Sequence, residues 1–356
     1  MKISLDLIRP YSTGAIKRFS LIRFLVKYTS SSLVVVAALL ISCLIPDILV
    51  AQQKKQQKLY DDLFSVNFPN EKDGWACGRW GTVLNTSDGG KSWVRQTSGV
   101  DYSLSSIFFI DSKHGWAVGD EGTIIHTQDG GKAWEKQKSP VPFILMDVYF
   151  VTPVKGWIVT EQTHILYTDN GGKTWTIQFK DKDFILKAVS FCDQLNGWAV
   201  GEYGYIYHTK NGGITWEKQA GEFKISSTTG EPEGGNILFD VAAINPQAAW
   251  AVGIDSYVIR TVDGGKTWKE INLGVPKTHL FCVYADKTER ILIGGKGIFL
   301  SSVDGGKTWK NPAFVPPIAY GWLYGLGRRG PSEFIAVGWE GSIYLNTSET
   351  WNRVLY

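Results

Sequence analysis

The sequence predicts an all-β fold, a seven-bladed β-propeller of four-stranded antiparallel blades, preceded by an N-terminal hydrophobic signal or anchor helix. Three observations predict it. The stretch at 86–93, Thr-Ser-Asp-Gly-Gly-Lys-Ser-Trp, returns in close copies at 127–134, 168–175, 209–216, 261–268 and 302–309, with a worn remnant at 347–351. The tryptophans that end these boxes are spaced by 41, 41, 41, 52, 41 and 42 residues, and self-similarity near a period of 40 marks a repeat architecture. Each unit also carries four short strand patterns bounded by turn residues, and such units bury their faces when set radially as blades.

The box is a turn. Its Gly-Gly pair takes φ > 0 without a Cβ penalty, and the Asp or Asn before it hydrogen-bonds its own turn backbone. The leading Thr or Ser ends one strand, and the closing Trp supplies apolar surface that locks the hairpin to its neighbour. The structural pairs are Asp88 and Trp93, Asp129 and Trp134, Asn170 and Trp175, Asn211 and Trp216, Asp263 and Trp268, and Asp304 and Trp309.

Taken in order, the first unit opens with strands at Leu63 and Gly74, which starts the domain near residue 60. The second reads 104–109, 115–119, 122–127 and 134–137; the third has 146–150 and 156–159, the fourth 186–191 and 197–201. The fifth begins late, at 237–241 and 249–253. The sixth uses 279–284 and 291–294, and the seventh 322–326, 334–338, 342–345 and 351–356. All seven blades are expected to be complete. The ring then closes either by packing of blade seven on blade one or with residues 58–60 added to the edge of blade seven. The 52-residue spacing marks an insertion at 221–236, polar and glycine-bearing, expected as a surface loop outside the core or as a loop that touches a partner.

The N-terminus directs the chain out of the cytoplasm. Residues 1–30 are basic; residues 1–50 hold six Lys or Arg against Asp6 and Asp47, leaving 31 basic and 32 acidic residues of the 37 and 34 in the chain. A body of net charge about −1 has no electrostatic footprint for nucleic acid. Residues 31–51 read as a signal peptide or membrane anchor, with three fates open: cleavage, retention as a span, or lipidation at Cys43 within Leu-Ile-Ser-Cys. Residues 52–59 form a polar tether, and 60–356 the propeller. The expected location is exported: periplasm, lumen or the outer face of a membrane.

Cys77, Cys192 and Cys282 fall in different repeats at apolar strand positions, so they read as buried thiols acting as small hydrophobes. His126 and His208 occupy equivalent positions in different blades, which separates them around the ring; no metal or cofactor is expected. The Gly-Lys-Thr triplets at 172–174, 265–267 and 306–308 lack the first glycine of a phosphate loop and sit between strands.

The box Thr-x-Asp/Asn-Gly-Gly-Lys-Thr-Trp resembles the Asp-box, or BNR, repeat. Coupled to Gly-Trp-Ala-Val-Gly-x-x-Gly-x-Ile a few residues before the box, it resembles the Ycf48/Hcf136-like family of seven-bladed photosystem II assembly and stability factors over residues 60–356. That resemblance implies a non-catalytic protein whose partners are client subunits of a membrane complex, and it carries over no catalytic residue. The alternative is a carbohydrate-binding or glycosidase-type Asp-box propeller of the cell envelope; a purely structural envelope module is a further one. A glycosidase needs two facing carboxyls, and a sialidase three convergent arginines, which the placement of the arginines here disfavours. No catalytic or metal residue is assigned. Candidate partner-binding residues lie on the turns of the face opposite the boxes: Arg79, Trp80, Glu121, Glu202, Tyr203, Lys296, Trp339 and Glu340, with an acidic tendency shared by Asp120, Glu161 and Asp255. A monomer is expected.

Overall fold

The computed structural model describes residues 61–347 and 350–354. The segments 1–30, 31–51 and 52–59, with Cys43, lie outside the described residues, as do 355 and 356. Among the described residues there is no α-helix, and no helix is long and apolar enough to cross a membrane.

Seven sheets follow one another along the chain. Blade one holds β1 (Leu63–Asn67), β2 (Gly74–Gly78), β3 (Val83–Thr86) and β4 (Val94–Gln96) in spatial order. Blade two holds β5 (Leu104–Phe109), β6 (Gly115–Gly119), β7 (Ile124–Thr127) and β8 (Glu135–Gln137). Blade three holds β9 (Leu145–Phe150), β10 (Gly156–Thr160), β11 (His164–Thr168) and β12 (Thr176–Lys180), and blade four β13 (Leu186–Phe191), β14 (Gly197–Gly201), β15 (Ile206–Thr209) and β16 (Glu217–Ala220). A separate hairpin, β17 (Phe223–Ile225) with β18 (Pro232–Gly234), precedes blade five: β19 (Leu238–Asn245), β20 (Ala248–Gly253), β21 (Val258–Thr261) and β22 (Lys269–Glu270). The first strands of successive blades pack side by side, β1 on β5 and so on round the ring.

Blade six departs from the expected four strands. It has β23 (Leu280–Ala285), β24 (Ile291–Gly295) and β25 (Phe299–Ser302), and its fourth strand is reduced to one bridge between Ser301 and Lys310. Pro312 follows at once; it has no N–H to donate and cannot continue a ladder. The chain instead runs on as β26 (Ala313–Val315), which pairs in parallel with β30 (Thr350–Arg353), outermost in blade seven after β27 (Leu323–Gly330), β28 (Glu333–Gly338) and β29 (Ile343–Thr347). The outer edge of blade seven is therefore covered by β26; residues 58–60, expected as one possible addition to that edge, lie outside the described residues.

The ring closes by packing. Leu63, Val66, Phe68, Ala76, Leu84 and Trp93 of blade one bury against Ile335, Val337, Ile343 and Leu345 of blade seven. Two longer-range hydrogen bonds cross this seam, Arg329 Nη1 to the Gly89 carbonyl (3.0 Å) and the Glu340 amide to Asp62 Oδ1 (3.0 Å).

Each box hairpin is built as its sequence dictates. Asp263 Oδ1 accepts the Thr261 hydroxyl (2.9 Å) and the Thr267 amide (3.0 Å), Thr261 Oγ1 accepts the Gly265 amide (2.8 Å), and both glycines sit at φ 73° and 79°. The Thr267 hydroxyl and amide, with the Thr261 hydroxyl, hold the Asp263 carboxyl down at about 2. The box also fastens blade to blade. A glutamine three residues after the box tryptophan donates to the first glycine carbonyl of the next box: Gln96 to Gly130, Gln137 to Gly171, Gln178 to Gly212, Gln219 to Gly264. In blades five and seven, where that position is Ile271 and Val354, an arginine from another strand makes the bond, Arg260 reaching Gly305 and Arg329 reaching Gly89. Above the first three glutamine latches, the second-strand tryptophan stacks on the last phenylalanine of the next blade's first strand, whereas Trp198 stacks on His208 of its own blade. Trp75 lies on Phe109 at 3.7 Å, Trp116 on Phe150 at 3.6 Å and Trp157 on Phe191 at 3.8 Å, each phenylalanine capped edge-on by the box tryptophan.

Candidate functional site

The box loops bond the turns between first and second strands, as Gly89 N does to Lys72 O, so the opposite face carries the turns between second and third strands and the connections between blades. Those opposite turns share one geometry. The glycine ending the second strand has no Cβ because one there would strike a backbone carbonyl just before the first strand, that of Asp62, Ser103, Ile185, Ile237, His279 or Trp322; only blade three uses Thr160 instead. The next turn is tight enough that its second residue is left-handed: Trp80 (φ 54°), Glu121 (55°), Gln162 (59°), Tyr203 (54°), Asp255 (55°) and Glu340 (50°), with Gly297 in blade six. A side chain in this region costs about 1–2 kcal/mol, and such strain concentrates where side chains must be presented in one direction.

The seam between blades seven and one gathers the largest exposed apolar groups of this face. Asp62, buried, accepts Arg79 Nε on Oδ2 (2.9 Å) and the Glu340 amide on Oδ1 (3.0 Å), tying the two turns together. Trp80 and Trp339 project from them, 65% and 42% exposed, and the Arg79 guanidinium lies over the Phe64 ring at 5.9 Å. Tyr320, 91% exposed, stands on the neighbouring connection, and Lys296 covers Trp322 at 5.5 Å.

Next to this seam the central channel opens. Every blade has a register break at the second residue of its first strand, so one residue per blade is left unpaired: Phe64, Ser105, Met146, Lys187, Phe239, Phe281 and Tyr324. Bulges re-aim side chains, and all seven of these line a cavity of about 180 Å³. The ring is lopsided. Blades five, six, seven and one contribute a continuous aromatic crescent, with ring centroids 5.2 Å (Phe239–Phe281), 5.3 Å (Phe281–Tyr324) and 5.5 Å (Phe64–Tyr324) apart. Blades two to four contribute Ser105, Met146 and Lys187.

The next residue of each first strand forms a second layer, which stitches the blades. Asp147 accepts the Ser106 hydroxyl (2.7 Å) from blade two and the Val189 amide (2.9 Å) from blade four; Asp240 accepts the Val283 amide (2.8 Å) from blade six. Ser65 accepts the Ile107 amide (3.3 Å) in the same way. Burial pushes the Asp147 carboxyl up to about 6 and that of Asp240 up to about 8, against the pull of those amides.

The structure separates the sequence-derived candidates. Arg79, Trp80, Trp339 and Glu340 stand together at the seam, Lys296 lies on the turn of blade six over Trp322, and Glu121 is exposed on the turn of blade two. Glu202 is not presented outward: its Oε2 accepts the Ile185 amide (3.2 Å), as that of Glu161 accepts Ile144 (3.4 Å). Tyr203 is covered, with Phe184 at 5.1 Å and Phe223 at 4.8 Å. The acidic tendency is reduced further by Lys277 beside Asp255 (3.7 Å). The insertion, expected outside any core, forms the β17–β18 hairpin and seats Phe223 in the aromatic cluster of blades three and four; Phe223 gives it an apolar anchor that its polar composition hid. The bulge ring and its carboxylates were missed. The signal was present in the repeats, as the two variable residues that follow the buried leucine at 63, 104, 145, 186, 238, 280 and 323.

Other chemistry-bearing groups are accounted for by packing. Cys77 and Cys282 are buried, Cys192 half-buried, and burial raises the Cys192 thiol to about 12. His126 and His208 stack on Trp116 and Trp198, and burial lowers both to about 4. Among the described residues no group of three or more His, Cys, Asp or Glu is placed to hold a metal.

Comparison with known proteins agrees with this architecture. The model of the family described as photosynthesis system II assembly factor YCF48 matches residues 49–140, 133–234 and 228–352. A structure of YCF48 bound to D1 peptide superposes with a TM-score of 0.66 at 19% identity, covering 85% of this chain and 94% of that one. YCF48 from Cyanidioschyzon merolae gives 0.65 at 20% identity, covering 81% and 96%. The GH74 xyloglucanase from Xanthomonas campestris gives 0.66 at 12% identity, covering 83% of this chain and 55% of that chain. At these identities the structural likeness is one of fold. No curated protein sequence matches.

Proposed function

This chain belongs to the photosynthesis system II assembly factor YCF48 family, and from that membership we propose that it is a non-catalytic propeller that binds client subunits of a membrane protein complex during assembly. It acts outside the cytoplasm, in a periplasm, a lumen or on the outer face of a membrane, held there through residues 31–51. The observation that carries the reading is the seam: Asp62 clamps two turns, one with Trp80 left-handed at its tip and one with Trp339 beside the left-handed Glu340, which expose both tryptophans beside an aromatic channel mouth. Exposed tryptophan with flanking arginine is the composition of binding hot spots. The peptide held by a YCF48 of the same fold supports a polypeptide client.

The carbohydrate reading is less favoured. Asp147 and Asp240 are two carboxyls in one cavity and each accepts a backbone amide of the neighbouring blade, but about 180 Å³ is small beside the roughly 300–1,000 Å³ of ligand pockets.

The test is affinity purification of the tagged full chain from its native membranes, with mass spectrometry of the partners and of its own N-terminus. The expected result is co-purification of membrane-complex subunits by the wild type and loss of at least about tenfold in recovery by Trp80→Ala/Trp339→Ala, corresponding to about 1.4 kcal/mol or more. Undiminished recovery by the double variant would place docking elsewhere. Retention on a polysaccharide column with no protein partner would overturn the reading.

A further inference from the structure

The channel mouth has an unusual charge balance. Asp147 and Asp240 border the same cavity, and among the described residues neither carboxyl forms an ion pair. Lys187, the one cation lining that cavity, interacts with Glu161 and Glu202 of the turns. Both carboxyls are half-buried on the channel wall, where desolvation without a counter-ion is costly. Above them stands the crescent of Phe239, Phe281, Tyr324 and Phe64, whose ring faces attract cations. An apolar, π-rich collar over two carboxyls matches a positive charge on a long aliphatic stem. The volume, about 180 Å³, admits one such side chain and excludes a folded element.

We propose that the channel mouth receives the side chain of a lysine or arginine from an extended client segment, its stem along Phe239, Phe281 and Tyr324 and its cationic head on the carboxyls of Asp147 and Asp240. This rests on the client-binding reading above and names what the client must carry. Trp80 and Trp339 then hold the flanking backbone at the rim, and the inserted side chain fixes its register. The ionisable groups around the head are Asp147, Asp240, Lys187, Cys282 and Tyr324. An opposite charge within about 4–6 Å favours the ionised carboxyl, so insertion is accompanied by proton release from the pair.

The probe is n-pentylguanidinium, with n-pentanol as its uncharged counterpart, titrated calorimetrically into the detergent-solubilised full chain. Wild type is expected to bind the cation at least about tenfold more tightly than the alcohol, and Asp147→Asn/Asp240→Asn to remove that preference. Phe239→Leu/Phe281→Leu, which keeps apolar volume at half-buried rim positions, is expected to weaken the cation about threefold and serves if the aspartate variant fails to fold. Equal binding of cation and alcohol by wild type would overturn the proposal. So would client capture from membranes by Asp147→Asn/Asp240→Asn at the wild-type level. Absence of any client from the wild-type purification would instead sink the client-binding reading, a result separable from the probe titration.

Discussion

Removing one glutamine should unfasten two blades. Gln137 donates Nε2 to the Gly171 carbonyl (3.0 Å) and accepts the indole N–H of Trp175 on Oε1 (3.0 Å), both in blade three. In Gln137→Ala the Gly171 carbonyl keeps the Trp116 indole (3.3 Å), but the indole N–H of Trp175, a residue only 5% exposed, is left without an acceptor. Two bonds at about 1 kcal/mol each, with about 1 kcal/mol or more for the orphaned donor, give a loss of roughly 2–4 kcal/mol. A propeller of about 290 residues has an unfolding entropy near 0.6 kcal/mol/K, so the midpoint should fall by about 3–7 °C. Gln96 is the internal control. It makes the equivalent bond to Gly130 (2.9 Å), but its Oε1 has no partner, so Gln96→Ala should cost only about 1 kcal/mol. Thermal unfolding followed by tryptophan fluorescence and calorimetry measures both. If the two variants melt alike, or if Gln137→Ala is silent, the latch is not what joins the blades.

Stability should fall as pH rises through neutrality. The folded Asp147 and Asp240 carboxyls titrate at about 6 and 8, above their ordinary value near 4, so the folded state binds more protons than the unfolded one between those values. The stabilisation is complete below about pH 4 and is lost as pH rises from there, by about pH 6 for Asp147 and about pH 8 for Asp240, at most about 5 kcal/mol for the latter. The box carboxyls Asp263 and Asp304 are lowered, so theirs is present above about pH 4 and lost as pH falls toward 2. Urea unfolding should therefore show a maximum near pH 4, and Asp240→Asn should flatten its alkaline side; an unchanged profile refutes the assignment. Glu121→Gly should stabilise by about 0.5–1 kcal/mol, because it relieves a left-handed side chain at φ 55° and forfeits only backbone entropy of the unfolded chain; destabilisation would mean that the carboxylate holds its turn.

How much of this was legible follows from what repeats. The box, the second-strand tryptophan and the buried leucines recur because every blade faces the same packing problem, and recurrence exposed them. The Gln three residues after the box tryptophan also recurs, at 96, 137, 178 and 219, but its partner lies 34 residues or more away in the next unit, so its meaning needed the ring. The channel mouth was hidden for the opposite reason. Its residues vary from blade to blade, Phe64 to Ser105 to Met146 to Lys187, and only the bulge common to all seven first strands assembles them. Pro312 was readable as a strand breaker, yet nothing local announced that β26 would cross to blade seven. Tyr203 and Glu202 were misplaced as presented groups because turn residues were taken to face solvent, whereas Phe223 and the Ile185 amide engage them.

Closure by packing of blade one on blade seven has a kinetic consequence. Contacts between successive blades join residues about 42 apart, as Ser65 and Ile107 do, whereas the seam joins Asp62 to Glu340 across 278. Loop closure costs about 3 kcal/mol for the former and about 5 for the latter, so the seam should form roughly 20-fold more slowly than any other contact of comparable strength. The protein should pass through an open arc of stacked blades that shuts in one final event. Pulse-labelled hydrogen exchange during refolding would register it as late protection of the Glu340 amide, after those of Val189 and Val283; simultaneous protection of all three would mean that the ring condenses as a whole. Until that last contact is made, Trp80 and Trp339 belong to opposite ends of the arc, and the surface that clients would meet does not yet exist.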